Sequence, residues 1–255
     1  MKNWALITGA SSGIGLAIAK ELANRNYNLI IHGRNEFALN KLKSELDSSN
    51  IEIKIITADL SIMEETKALI QEVRDLPLSI FINNAGFGVA GDYEQTNLDE
   101  EFALTNTLVS SPMYMTKELI PILKNSPASY ILNVSSLYAF FAVPKQAIYG
   151  AAKAFQHSFS KALTRELSQT TISVSSLCPG LTYSQFRTRQ GKNEKKHFVG
   201  LTSEEVAKIA MNKMFAKKVT IVPGLFNKFM SIVIPNLPDR WAIAIIHKMN
   251  SSRGF

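Results

Sequence analysis

Tyr149 and Lys153 place a phenol and an amine four residues apart, and Ser135 and Ser136 place two hydroxyls upstream of them. Ala147, Ala151, Ala152 and Ala154 are helix formers, so Tyr149 and Lys153 fall on one helical face, about 6 Å apart along the axis. Free tyrosine has a pKa of about 10, and a nearby ammonium favours the phenolate; the pair is expected to exchange protons near neutrality. Such a pair also recurs by chance on solvated helix faces, so its meaning depends on the elements around it. Residues 130–134 form a short apolar run, the pattern of a strand buried on both faces, and it stops at Ser135-Ser136. The hydroxyls therefore belong at a strand end.

The chain opens on a second chemical element. Residues 4–8 read as a buried strand, followed by Gly9-Ala10-Ser11-Ser12-Gly13-Ile14-Gly15 and then by the apolar stripe of a helix over residues 16–22. Glycines at a strand-to-helix turn let backbone approach a ligand, and the new helix aims free N–H groups and its positive end there, which suits a pyrophosphate. The same residues satisfy Gly-x-Ser-x-Gly, the nucleophile elbow of α/β-hydrolases. That elbow follows several strands and an oxyanion loop, and no room for them exists before Ser11. The next strand, 28–32, ends at Gly33-Arg34, where a dinucleotide fold meets the adenosine ribose. Gly33 offers no carboxylate to a 2′-hydroxyl and Arg34 offers a guanidinium to a 2′-phosphate, so NADP is favoured over NAD.

With Ser136 thirteen residues before Tyr149, Lys153 four after it and a Gly-x-x-x-Gly-x-Gly turn at the start, the sequence resembles the classical branch of the short-chain dehydrogenase/reductase family over about residues 4–186. The resemblance implies a catalytic set of Ser136, Tyr149 and Lys153, with Asn106 holding a water that links the lysine to solvent. It implies cofactor contacts from Gly9, Ser11, Ser12, Gly13, Ile14 and Gly15, from Asp59-Leu60 beside the adenine, and from Asn84-Ala85-Gly86 of the Asn-Asn-Ala-Gly turn. Tyr149 and Lys153 also reach the cofactor. Pro179-Gly180 flanks the nicotinamide, and Thr182 or Ser184 contacts its carboxamide, the family's threonine falling nearer Ser184. The alternative readings are Asp59 as a helix cap, Arg34 as an ordinary surface cation and Asn106 as a satisfied core amide.

Strands and helices alternate along 255 residues that are 46% hydrophobic, which calls for one α/β domain. The expected architecture is a Rossmann-like, doubly wound parallel sheet of about seven strands with helices on both faces. One cysteine, Cys178, excludes an internal disulfide framework, and the histidines lack metal spacing; a reducing cytoplasm and no metal are expected. Neither a signal peptide nor a membrane span is indicated. The net charge of +7 is scattered among acids, which argues against nucleic acid and suits an anionic cofactor. Residues 183–201 are aperiodic and are expected to form a substrate lid. The apolar stretch 225–249, broken by Pro235 and Pro238, is expected to pack on the cleft or at a subunit interface, with an interfacial membrane anchor as the alternative. Homodimers or homotetramers are expected.

The expected function is hydride transfer between NADP(H) and a small-molecule carbonyl compound or secondary alcohol, with a non-catalytic nucleotide-binding regulator as the alternative. Leu137, Tyr138, Phe140, Phe141, Val143, Phe87 and Phe186 are expected to wall a cleft for a hydrophobic substrate.

Overall fold

Alternation along β1 (Trp4–Ile7) sends Ala5 and Ile7 to one face of the sheet and Trp4 and Leu6 to the other, and all four are buried. A strand covered on both faces needs apolar side chains at successive positions, which is why these segments read as unbroken apolar runs. The computed structural model describes residues 3–47, 50–183 and 200–252. It continues with β2 (Asn28–Gly33), β3 (Ile53–Thr57), β4 (Leu78–Asn83), β5 (Ser129–Val134) and β6 (Ile172–Leu177). The two-residue strands β7 (Thr182–Tyr183) and β8 (Leu201–Thr202) pair with each other, and β9 (Thr220–Ile221) completes a seven-stranded parallel sheet in the order β3-β2-β1-β4-β5-β6-β9. This is the Rossmann-like architecture expected from the sequence.

Helices cover both faces. On the first, α1 (Gly13–Ala23) and α2 (Glu36–Glu45) pack over Ala5, Ile7, Leu29 and Ile31, while α3 (Met63–Val73) packs on the second over Leu6, Ile30 and Phe81. α4 (Leu98–Thr105) runs through one π-helical turn, Asn106–Ser110, into α5 (Ser111–Leu123). α5 and α6 (Ala147–Glu166) complete the second face, and α7 (Ser203–Phe215) returns to the first. The sequence pattern suggests one helix across 98–123, but Pro112 has no N–H to give to the i→i−4 ladder, and the π turn lies directly before it.

The chain builds β1, β2 and β3 outward in one direction, then crosses to β4 and builds the other way. The connections after β1 and β4 therefore diverge and leave a crevice at the C-terminal strand ends, where open α/β sheets bind ligands. Most of the expected lid, including Ser184, Phe186 and Phe198, lies outside the described residues.

The C-terminal stretch forms α8 (Leu225–Val233), a 3₁₀ turn over Ile234–Asn236 and α9 (Asp239–Ser252). Met230, Ile234, Ala242 and Ile246 pack on Val143, Leu137, Tyr138 and Phe141, so these helices lie against the loop that follows Ser136. No helix of the described residues is long and apolar enough to cross a membrane.

Candidate active site

The glycine turn is held in place by β4. Thr8 Oγ1 accepts hydrogen bonds from the backbone amides of Asn84 at 2.9 Å and Ala85 at 3.0 Å, and the Asn84 amide group donates to the carbonyls of Thr8 at 2.9 Å and Gly9 at 3.2 Å. Gly9 and Gly13 take φ of +69° and +57°, which side-chain-bearing residues rarely adopt. Ser12 is the N-cap of α1 and makes no side-chain cap bond to it, so the first-turn amides face the crevice. A Cβ on Gly15 would collide with the Gly9 carbonyl and the Asn84 amide. Its part is to let α1 pack against the turn.

A cavity of about 650 Å³ opens above these elements. Of the described residues expected in the catalytic set or at the cofactor, all line it except Gly15 and Asn106. The Asn106 amide donates to the Ser61 carbonyl at 3.1 Å and accepts from the Ser110 hydroxyl at 3.2 Å, while its neighbour Thr107 faces the cavity. The side chain is thus committed to Ser61 and Ser110.

At the cavity floor, Ser136 follows β5 and its Oγ accepts the Tyr138 amide at 3.1 Å, so its own O–H can point to the phenol. The Ser136 hydroxyl hydrogen-bonds the Tyr149 phenol. Lys153 Nζ donates to the Val134 carbonyl at 2.8 Å and to Gln156 Oε1 at 3.0 Å, and it lies 5.7 Å from the centre of the Tyr149 ring. Two of its three N–H bonds are thereby committed. Ser135 Oγ donates to the Lys153 carbonyl at 2.7 Å and ties α6 to the end of β5.

Burial dominates the electrostatics here. It raises the Tyr149 phenol well above its ordinary value, opposed by the Ser136 hydrogen bond, and it lowers Lys153 to about 7. The simple expectation that the lysine charge brings the phenol toward neutrality is therefore reversed by desolvation in the isolated protein. Behind the lysine, burial pushes the Cys178 thiol up to about 11. The thiol is protonated at neutral pH.

At the far end, Arg34 is 59% exposed and its guanidinium lies 3.2 Å from Asp59 Oδ2 and 6.0 Å from the Phe87 ring centre. Asp59 Oδ1 also accepts the Ser61 amide at 2.9 Å. Burial raises the Asp59 pKa, but the Ser61 hydrogen bonds and Arg34 outweigh it and hold the carboxyl below its usual range. His32, buried beneath this corner, has Nε2 3.0 Å from the Ala58 carbonyl, while Nδ1 has no hydrogen-bond partner among the described residues. Burial lowers it to about 4, so the ring is neutral at pH 7.

Sequence reasoning missed Thr8, His32, Gln156 and Asn227. Thr8 left a signal, being a hydroxyl at the end of an otherwise apolar strand. Asn227 left none: it is buried in α8, donates to the Pro223 carbonyl at 2.7 Å, and fills the space a Cβ on Gly180 would need. The apolar wall also differs from expectation. Phe87, Leu137, Tyr138 and Phe141 line the cavity together with Leu181, Phe226, Met230, Ile246 and Met249. Phe140 instead packs on His157 at 4.8 Å between ring centres, and Val143 sits under α8 and α9. The 3₁₀ turn Leu137–Phe140 turns successive side chains to different sides.

A parallel sheet with a glycine turn at its switch point and a Ser-Tyr-Lys cluster at the next strand end defines a nucleotide-binding oxidoreductase class. The chain belongs to the short chain dehydrogenase family, whose model matches residues 3–195. It is 36% identical over 181 residues to the very-long-chain 3-oxoacyl-CoA reductase of Kluyveromyces lactis, covering 67% of this chain and 52% of that protein. A short-chain dehydrogenase from Sphingobium yanoikuyae in complex with NADPH superposes with a TM-score of 0.83 at 26% identity, over 98% of this chain and 94% of that one. A family member from Burkholderia phymatum in complex with NAD shares the fold, with a TM-score of 0.78 at 21% identity over 87% and 88% of the two chains.

Proposed function

We propose that the protein is an NADP(H)-dependent oxidoreductase that moves a hydride between the nicotinamide and the carbonyl or secondary alcohol of a hydrophobic small molecule. The observation that carries this reading is the convergence of Ser136, Tyr149 and Lys153 on the floor of one cavity that runs to the glycine turn and Arg34.

Three features fit a phosphorylated dinucleotide. The positive-φ glycine turn leads into the first turn of α1, whose amides the N-cap side chain leaves uncapped, a site for pyrophosphate. Arg34 projects from the end of β2, where a 2′-phosphate would lie. His32 Nδ1, a buried acceptor without a donor among the described residues at the same end, can take a hydrogen bond from a ribose hydroxyl or the adenine amino group. The Sphingobium relative was solved with NADPH, which supports the same choice.

When bound, the nicotinamide supplies or takes up the hydride. In reduction, the Ser136 hydroxyl would hydrogen-bond the substrate carbonyl oxygen without giving up its proton and hold it beside Tyr149, which is protonated at neutral pH and transfers the one proton the oxygen needs. Lys153 keeps one N–H for a ribose hydroxyl, and its value of about 7 lets it change charge in the working range. Burial keeps the phenol protonated at neutral pH, the form that gives a proton in reduction.

The apolar wall formed by Phe87, Leu137, Phe141, Leu181, Met230 and Ile246 contributes about 1.5–3 kcal/mol for each side chain a ligand fully covers, which favours an alkyl or aromatic substrate over a sugar. The resemblance to the very-long-chain 3-oxoacyl-CoA reductase of Kluyveromyces lactis supports that choice. NADPH oxidation by purified protein across aliphatic ketones of rising length tests it. Rising kcat/KM with length is expected; faster turnover of polar sugars refutes the hydrophobic reading.

A further inference from the structure

We propose that the outward faces of α8 and α9 dock on an anionic lipid bilayer, setting the cavity mouth at the membrane surface. α8 is apolar on two sides. Met230, with Ile234 just beyond the helix, packs inward on the cleft, while Leu225, Phe229 and Ile232 are 89%, 59% and 58% exposed. Their i, i+4, i+7 spacing makes one continuous outward stripe, which nothing in the described residues covers. On α9 the same spacing aligns Trp241, Ile245 and Lys248, with Trp241 67% exposed.

The polar residues beside these stripes select the occupant. Lys228 follows Leu225 by three positions and precedes Ile232 by four, so it flanks the α8 stripe. Arg240 adjoins Trp241, and Lys248 ends its stripe. Over the two helices these three cations face one acid, Asp239, and the whole chain carries +7. Lysines that flank an apolar stripe snorkel to lipid headgroups, and indole favours the interface. Like charge on both sides opposes pairing this face with a second copy, whereas anionic headgroups attract it. Phe226, 44% exposed, also lines the cavity, so the outward apolar face runs into the cavity wall supplied by Met230, Ile246 and Met249. The docking makes no assumption about the reaction; the gain for a lipid-dissolved substrate rests on the function proposed above.

The experiment is cosedimentation of the full chain with phosphatidylcholine vesicles, with or without phosphatidylglycerol, alongside tryptophan emission. The chain has two tryptophans. Trp4 is 8% exposed in the sheet, so a blue shift on adding vesicles reports Trp241. Binding to the mixed vesicles is expected to be at least about tenfold tighter than to phosphatidylcholine alone and to weaken with salt. The double variant L225E/F229E should lose at least about tenfold of it while keeping the parent's unfolding temperature and molar mass in solution. Failure of the parent to bind the mixed vesicles overturns the proposal. So does a fall in molar mass in the variant, which would make this face a contact between copies.

Discussion

Replacing Arg34 by Ala tests the cofactor end of the cavity most directly. A charge-assisted hydrogen bond to a 2′-phosphate contributes about 1.5–3 kcal/mol, but Arg34 is 59% exposed and shared with Asp59 at 3.2 Å. Solvent screening and that competition place the expected loss at the lower end, about 1.5 kcal/mol, or roughly tenfold in the Kd for NADPH. The variant also leaves the Asp59 carboxylate without its cation, which repels a phosphate and leaves the 2′-hydroxyl of NADH unaffected or better bound. Asp59→Asn should therefore act in the opposite sense on NADPH, freeing Arg34 while removing a negative charge. Both effects should shrink as ionic strength rises from 0.15 M to 1 M and the screening length falls from about 8 Å to about 3 Å. Fluorescence titration or calorimetry with the two cofactors measures all of this. Equal affinity of the parent protein for NADH and NADPH, or an equal loss for both in Arg34→Ala, would refute the reasoning.

Tyr149→Phe keeps the ring's packing and removes the proton donor; kcat should fall by at least about 100-fold with NADPH binding retained, and an unchanged kcat in steady-state assays contradicts the assignment. Gly15→Ala forces a methyl against the Gly9 carbonyl and the Asn84 amide, neither of which can move freely, so it should cost about 1–3 kcal/mol and lower the melting temperature by several degrees; calorimetry showing no shift would contradict that packing. Burial lowers Lys153 to about 7, below its unfolded value near 10.5, so between these values the unfolded chain binds the extra proton and folding stability from this group rises with pH. Urea midpoints at pH 7 and pH 9 should show the parent gaining stability relative to Lys153→Met; parallel curves would exclude a strongly lowered lysine.

What the sequence determined on its own is what lies within an element or across one turn. Period and composition located the seven strands, and i, i+4 spacing put Tyr149 and Lys153 on one face of α6. The glycine pattern marked the first crossover, and the absence of a carboxylate at Gly33 pointed to the cofactor choice, because each of these follows from local geometry and residue chemistry. The tertiary structure decided everything that depends on residues distant in the chain. Tyr138 donates to Asn250 at 2.7 Å across 112 positions, and Asn227 fills the space above Gly180; these contacts turn an apolar tail into a cavity wall on one side and an outward stripe on the other. The resemblance gives Asn106 a water that serves the lysine; what only the fold shows is that its side-chain amide donates to Ser61 from the π turn. Burial, too, is a property of the fold: charge spacing suggested a phenol lowered by its lysine, and desolvation drives the two groups the other way.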